Sequence, residues 1–223
     1  LHIYNTLQPT SMAQEIFENI ASKDFLNFQF KTMRYLTQLN EAQIKTNQLC
    51  GVQTFVKTFG KVRCVYCKFN FNFLGGSMGC AEGHKLILSI NYAKQNQLPL
   101  VIDASSGGVR MQEGVLALMQ MFSTVQALQD FKTEKLLSVS VFRDPCYGGT
   151  SASFMYQTDI QIGFNGARIG FAGPIVIQNT IFDGNQEIYD KSVPNGFQSA
   201  EKAAQNGYLD LIVQNDVPVL CVD

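Results

Sequence analysis

Three glycine pairs carry the chemical promise of this 223-residue sequence: Gly75-Gly76, Gly107-Gly108 and Gly148-Gly149. Each follows an apolar run and precedes a helical one. A single pair is explained by backbone geometry, since glycine supplies positive φ or lets a helix pack closely on a strand. Three pairs on consecutive units would converge at one sheet edge. Two N–H groups aimed at a common point there make an oxyanion hole, in which one donor contributes about 2.7–4 kcal/mol to a transition state. The neighbouring side chains narrow the chemistry. Ser151 and Ser153 follow the third pair, but a serine nucleophile needs a base. The two histidines are His2, in the N-terminal arm, and His84, which reads as a solvated helix residue. No acid lies among Thr150, Ser151, Ala152 and Ser153. Glu113, near the second turn, fits a helix-dipole role equally well. Chemistry that stabilises an oxyanion without a protein general base is what survives.

The elements that must position these turns are legible in outline. Val65, Cys67, Phe69, Phe71 and Phe73 alternate with Tyr66, Lys68, Asn70 and Asn72, which predicts a strand with one buried face running into Gly75–Gly79. Leu86, Ile90 and Ala93 then recur at helical steps. A second unit repeats the order: strand Leu98–Ala104, turn Ser105–Gly108, then a long helix with Met111, Val115, Leu118, Phe122 and Val125 along one face. A third has strand Leu136–Phe142, a turn at 144–149 and a short helix Thr150–Tyr156. Strands at Ile160–Phe164 and Arg168–Phe171 follow, and Pro174 suits the first turn of another helix. Residues 183–196 read as a surface excursion. A helix Ser199–Gln205, a stop at Gly207 and a strand Leu209–Val213 close the pattern. The repeated strand–turn–helix unit means an α/β fold with parallel strands, whose carboxyl ends collect ligands. The expected organisation is an arm over residues 1–45 and one domain over 46–223.

Composition sets the limits. At 24.8 kDa, with 46% apolar and 16% charged residues, the chain can bury a sizeable core. Seventeen Lys and Arg against 18 Asp and Glu leave a net charge of −1, which offers no field for nucleic acid. No apolar run approaches the roughly 18 residues of a membrane-spanning helix. Six scattered cysteines do not make a disulfide framework and fit a reducing compartment. Cys64-x-x-Cys67 has the spacing of a metal knuckle, but no second pair closes a four-ligand site, and a strand would point the two thiols to opposite faces. The chain opens on Leu1 without a basic-then-apolar signal, so a processed product or a fragment is expected.

Longer motifs resemble one family. Gly-Gly-Ser-Met-Gly at 75–79, Ala-Ser-Ser-Gly-Gly-Val-Arg-Met-Gln-Glu-Gly at 104–114 and Leu-Met-Gln-Met at 118–121 are similar to the carboxyltransferase β subunit of multi-subunit acetyl-CoA carboxylase. So are Asp-Pro-Cys-Tyr-Gly-Gly-Thr-Ser-Ala-Ser-Phe at 144–154, Gly-Phe-Ala-Gly-Pro at 170–174 and the tail from Val193 to Val213. The likeness runs in order from about residue 50 to 213, and plastid versions look closest. It implies a crotonase-like fold of stacked ββα units with an N-terminal helical arm. The reaction implied moves a carboxyl group from carboxybiotin, delivered on a carrier protein, to acetyl-CoA, giving malonyl-CoA for fatty acid synthesis. The biotin ureido nitrogen would take the methyl proton itself.

By motif match, the amides of Gly148 and Gly149 hold the enolate, and Gly107 and Gly108 complete the pocket. Ala104, Ser105, Ser106, Val109, Arg110, Gly75, Gly76, Phe171, Ala172 and Gly173 are the implied substrate-binding residues, with Arg110 meeting a phosphate or a partner carboxylate, or forming a structural salt bridge. The implied partners are a carboxyltransferase α subunit, a biotin carboxyl carrier protein and biotin carboxylase in a hetero-oligomer of the plastid stroma or the bacterial cytoplasm. Zinc is not expected, because the family's four-cysteine ribbon has no counterpart here. Departures also exist. Ile175-Val176-Ile177-Gln178-Asn179-Thr180 stands where the family has a basic residue and then Val-Ile-Glu-Gln-Thr, while Tyr147 and Cys80 replace smaller residues. These motivate the competing reading of an inactive, structural carboxyltransferase-like subunit, and propionyl-CoA is an alternative acyl substrate.

Overall fold

The computed structural model describes residues 13–214. His2 and Cys221 lie outside that range. Alternation of apolar and polar residues produces the first hairpin, β4 (Val52–Phe59) and β5 (Val62–Phe69), turned by Gly60-Lys61 with Gly60 at φ 60°. Parallel strands β6 (Leu100–Ser106), β7 (Ser138–Tyr147) and β8 (Ile160–Phe164) continue the sheet, and β10 (Leu211–Val213) ends it. A short strand β1 (Gln14–Ile16) adds antiparallel to β4, so the order is β1-β4-β5-β6-β7-β8-β10. The two-residue β9 (Ile169–Gly170) pairs with the far end of β7.

Helices α2 (Cys80–Gln95) and α3 (Gly114–Lys132) cover one sheet face. Val65, Cys67, Ile102 and Phe142 bury there against Leu86 and Ile90 of α2 and Leu128 and Phe131 of α3. Cys64, three residues before Cys67, points to the other face, as the strand period requires. That face carries a polar set. The Tyr66 hydroxyl donates to Asp103, and Arg143 grips the same carboxylate at 2.6 and 2.8 Å. The N-terminal segment, distinct in sequence texture, is close-packed in space. After the small hairpin β2 (Gln29–Phe30) and β3 (Met33–Arg34), helix α1 (Tyr35–Thr46) seats Tyr35, Leu39 and Ala42 against Phe73.

Two local expectations change. The strand into the first glycine turn stops at Phe69, because the Asn70 side chain accepts from the Asn72 amide and folds 70–73 into a turn, leaving Phe71 exposed. The short helix after the third pair begins at the glycines themselves, as α4 (Gly148–Ser151), followed by one 3₁₀ turn at Phe154–Gln157. The excursion at 183–196 contains an exposed helix α6 (Gln186–Ser192), capped by the Asn185 side chain.

Helix α3 is apolar on both sides. Ala117, Ala127, Leu128 and Phe131 face the core, while the stripe Met111, Val115, Leu118 and Phe122 that dominates its sequence pattern is exposed. We predict that Phe131→Ala lowers unfolding free energy by about 3–5 kcal/mol, whereas Phe122→Ala stays within about 0.5 kcal/mol, as read from urea denaturation.

Candidate functional site

The three turns are joined through their main chains. The Gly107 amide donates to the Gly75 carbonyl at 2.8 Å, Met78 to Gly108 at 2.8 Å, and Arg110 to Met78 at 2.9 Å, so the first and second turns run as a short parallel ladder. The second turn then meets the third. A side chain at Gly108, which sits at φ 111°, would come 3.2 Å from the Gly148 Cα and 3.4 Å from the Gly149 nitrogen. One at Gly149 would collide with Val109, and one at Gly76 with the Ser105 carbonyl. Backbone approaches backbone here, and only glycine permits it.

The amides divide into two sets. Those of Gly107 and Gly108 already have acceptors, the Gly75 carbonyl and the Ser106 hydroxyl at 3.1 Å. Gly148 and Gly149 open α4, where the helix offers its first N–H groups no acceptor of its own. The nearby hydroxyls are engaged: Ser151 donates to the Gly170 carbonyl, Ser153 to the Gly149 carbonyl, and Thr150 pairs with Ser106 at 2.8 Å. His84 lies on the exposed side of α2. Burial pushes the Cys80 thiol up to about 12, and Glu113 beside it adds to the shift. The serine and threonine hydroxyls of the third turn are thus all engaged among the described residues.

The implied substrate contacts differ in burial. Ala104 and Ser106 are fully enclosed, and the Ser105 hydroxyl donates to the Asp144 carbonyl, so these three support the second turn from beneath. Arg110 is only 1% exposed and faces inward, away from any phosphate. Its guanidinium donates to Glu82 at 2.8 Å, Glu113 at 3.2 Å, the Ser77 carbonyl at 2.7 Å, and the hydroxyls of Ser22 and Tyr35. It also lies over the Phe73 ring. Of the two roles weighed for it, the salt bridge is the one present. Phe171, 81% exposed, borders a cavity of about 600 Å³ beside α4, shared with Ser151, Tyr156, Phe197, Lys202 and Tyr208. Ala172 and Gly173 lead from it into α5 (Pro174–Ile181) and do not line it.

Sequence reasoning missed Glu82, Ser22 and Tyr35. Burial alone would raise the Glu82 carboxyl, but the Arg110 charge and N–H groups such as that of Gly51 bring it below the ordinary carboxylate range. Glu82 also accepts from the Gly79 amide three residues earlier, half of a capping box, and that spacing was the one readable signal. Glu113 accepts from the Tyr35 hydroxyl and the Cys80 amide.

This site can be set beside known proteins. The carboxyl transferase domain matches residues 33–222. The chain belongs to that family. It is 38% identical over 209 residues to the acetyl-coenzyme A carboxylase carboxyl transferase subunit beta of Clostridioides difficile, covering 94% of this chain and 69% of that protein. A chloroplastic subunit beta from Cyanidium caldarium is 38% identical over 89% of this chain and 71% of its own length. A Salinispora tropica protein named as subunits beta/alpha is 43% identical over 74% of this chain, which spans only 27% of that relative. Among solved structures, a Pseudomonas malonate decarboxylase hetero-tetramer superposes with a TM-score of 0.70 at 21% identity, over 96% of this chain and 75% of that one. The geranyl-CoA carboxylase beta subunit of P. aeruginosa gives 0.69 at 17%, over 95% and 35%. These likenesses carry the fold, which is crotonase-like.

A stability prediction follows from the buried ion cluster. Arg110→Met leaves two enclosed carboxylates unpaired and costs about 3–5 kcal/mol at neutral pH. Glu82 has a depressed folded pKa, so its contribution is complete above the ordinary carboxylate pKa and is lost as pH falls through the folded value. The deficit of the variant therefore narrows on acidification, which urea unfolding at stepped pH measures.

Proposed function

We propose that this chain is a β-type carboxyltransferase subunit that binds acetyl-CoA and accepts the carboxyl group of carboxybiotin to give malonyl-CoA. The observation that carries the reading is the α4 start: two amides without helical acceptors, held against the second turn through glycine contacts. Loss of a methyl proton from a thioester places negative charge on the carbonyl oxygen. Donors fixed in advance stabilise that charge in the transition state more than in the ground state. Gly148 and Gly149 are the proposed donors. Gly107, Gly108, Gly75 and Gly76 hold the adjoining wall, and Val109 closes it against Gly149.

The carboxylates and the serine hydroxyls described near the turns are already committed. Glu82 and Glu113 are occupied by Arg110, and the hydroxyls already donate to carbonyls. In the proposed reaction the proton leaves with the second substrate, whose ureido nitrogen is basic once its carboxyl group departs. Carboxybiotin arrives on a carrier protein, so a biotin carboxyl carrier, biotin carboxylase and a carboxyltransferase α subunit are the proposed partners. Relatives include chloroplastic and bacterial proteins, and no helix among the described residues is long and apolar enough to cross a membrane. The plastid stroma is the compartment we assign, with the bacterial cytoplasm as the alternative.

Malonyl-CoA formation by the chain reconstituted with an α subunit is the direct test, and absence of turnover would favour the structural-subunit reading. Within an active complex, Gly148→Ala forces a side chain into φ 62° and to 3.2 Å from the Gly108 Cα. The expected result is a kcat lower by about 10²–10³, the loss typical of one displaced oxyanion donor, with assembly unchanged by sedimentation.

A further inference from the structure

Resting on the function proposed above, we infer that Met121 is a positioning residue for the Gly149 donor, and that its place is set by a glycine notch on α2. Glycine has the widest backbone freedom of any residue. The Gly149 amide lies in the first turn of a four-residue helix without a helical acceptor, so its direction has to be fixed from outside. Gly148 is held by backbone, since a side chain there would stand 3.2 Å from the Gly108 Cα. Gly149 is held by side chains. A Cβ on it would come 2.2 Å from Val109 Cγ2, 2.8 Å from the Met121 sulfur and 3.2 Å from Met121 Cγ. Val109 belongs to the second turn, which already meets the third through Gly108. Met121 comes from α3 and packs on the hydrophobic core, so it ties the donor to the body of the fold.

The residue before Met121 sets where it stands. Gly83 lies inside α2, where glycine weakens a helix relative to alanine. A Cβ there would come 2.4 Å from Gln120 Oε1 and 2.7 Å from Gln120 Cβ and Cγ, so this glycine is the notch in which Gln120 seats. Gln120 is folded along its own helix, its amide donating to the Leu116 carbonyl at 3.0 Å. One turn on, the buried Thr124 hydroxyl donates to the carbonyls of Gln120 at 2.7 Å and Met121 at 3.1 Å. Consecutive side chains of α3 thus fill two glycine notches, Gly83 on α2 and Gly149 on α4. The first fixes the helix along its axis, and the second passes that position to the donor. An unbranched thioether suits the second notch, because it adapts to an irregular gap. Met121 acts through Gly149 and supplies no reacting group.

The test uses the chain reconstituted with an α subunit. Met121→Ala should lower kcat about 10- to 100-fold, because a small misplacement of a donor forfeits most of its effect. The KM for acetyl-CoA should stay within about twofold, the signature of an interaction made in the transition state. Met121→Leu refills the notch and should recover kcat to within about threefold. Gly83→Ala should lower kcat by displacing α3, and the double variant should lose no more than the worse single, since both act on one contact. Phe131→Ala, a larger truncation in the core side of the same helix, should lower the thermal midpoint at least as far while kcat stays within about twofold. The inference is overturned if Met121→Ala keeps kcat within about threefold of the wild type, if Phe131→Ala matches its loss, or if Met121→Leu does not recover it. If the wild type forms no malonyl-CoA, the catalytic reading fails by itself, and NMR relaxation of the chain alone decides the inference. The order parameter of the Gly149 amide should then drop from about 0.85 to below about 0.6 in Met121→Ala and hold in Met121→Leu. Equal values in all three proteins would overturn the positioning role.

Discussion

Arg110 is the interaction on which the rest of the site depends. An enclosed guanidinium costs several kcal/mol in lost hydration unless each donor finds an acceptor and the charge is matched. Glu82 and Glu113 supply the charge, and the Ser77 carbonyl and the Ser22 and Tyr35 hydroxyls take up the remaining donors. Because these partners come from the arm, the first turn, α2 and the 3₁₀ turn before α3, one side chain fixes the relative positions of all four. The two carboxylates pass the constraint on: Glu82 accepts from the amides of Gly51 and Gly79, and Glu113 from that of Cys80. The cluster lies behind the turns and contributes no reacting group. Its role is to keep the first and second turns in register.

That register matters because, under the proposed function, the groups that meet the substrate are main-chain atoms. Amides cannot be adjusted one at a time, as side chains can. They move with the strand ends and helix starts that carry them. Three strand ends, β6, β7 and the segment after β5, must therefore arrive together to within a fraction of an ångström. The ladder between 75–78 and 107–110 and the direct approach of Gly108 to Gly148 achieve this without an intervening side chain. The glycines are the condition for this contact, since a Cβ at Gly76, Gly108 or Gly149 would occupy space that the neighbouring turn already fills.

Much of this was legible in the sequence where one local rule decided the outcome. Period-two alternation placed β5, apolar runs placed β6 and β7, and glycine pairs placed the turns. What escaped depended on distant partners. Nothing near Arg110 announces that its charge is taken up by Glu82 and by hydroxyls 75 and 88 residues away, so a ligand-facing reading was equally open. The strand end at Phe69 depended on a single side-chain acceptor, Asn70, which outweighed two further turns of apolar alternation. The stripe on α3 was visible as a pattern, but periodicity says only that a face is apolar. Whether its cover is the sheet or another body is settled by which side carries the small residues Ala117 and Ala127 that let α3 approach its neighbours.

The two halves of the site thus differ in kind. Behind the turns, charge and hydrogen bonding are saturated: Arg110, Glu82 and Glu113 are each about 1% exposed or less, and shifting any of them would strand an ion. In front, the surface along α3 and at Phe171 is apolar and open. An oxyanion site gains from exclusion of water, because a fixed dipole acts more strongly where no solvent screens it. The chain supplies the joined glycine turns but leaves the apolar rim uncovered. Under the proposed function, the field at Gly148 and Gly149 strengthens with whatever covers that rim, which this fold itself leaves open.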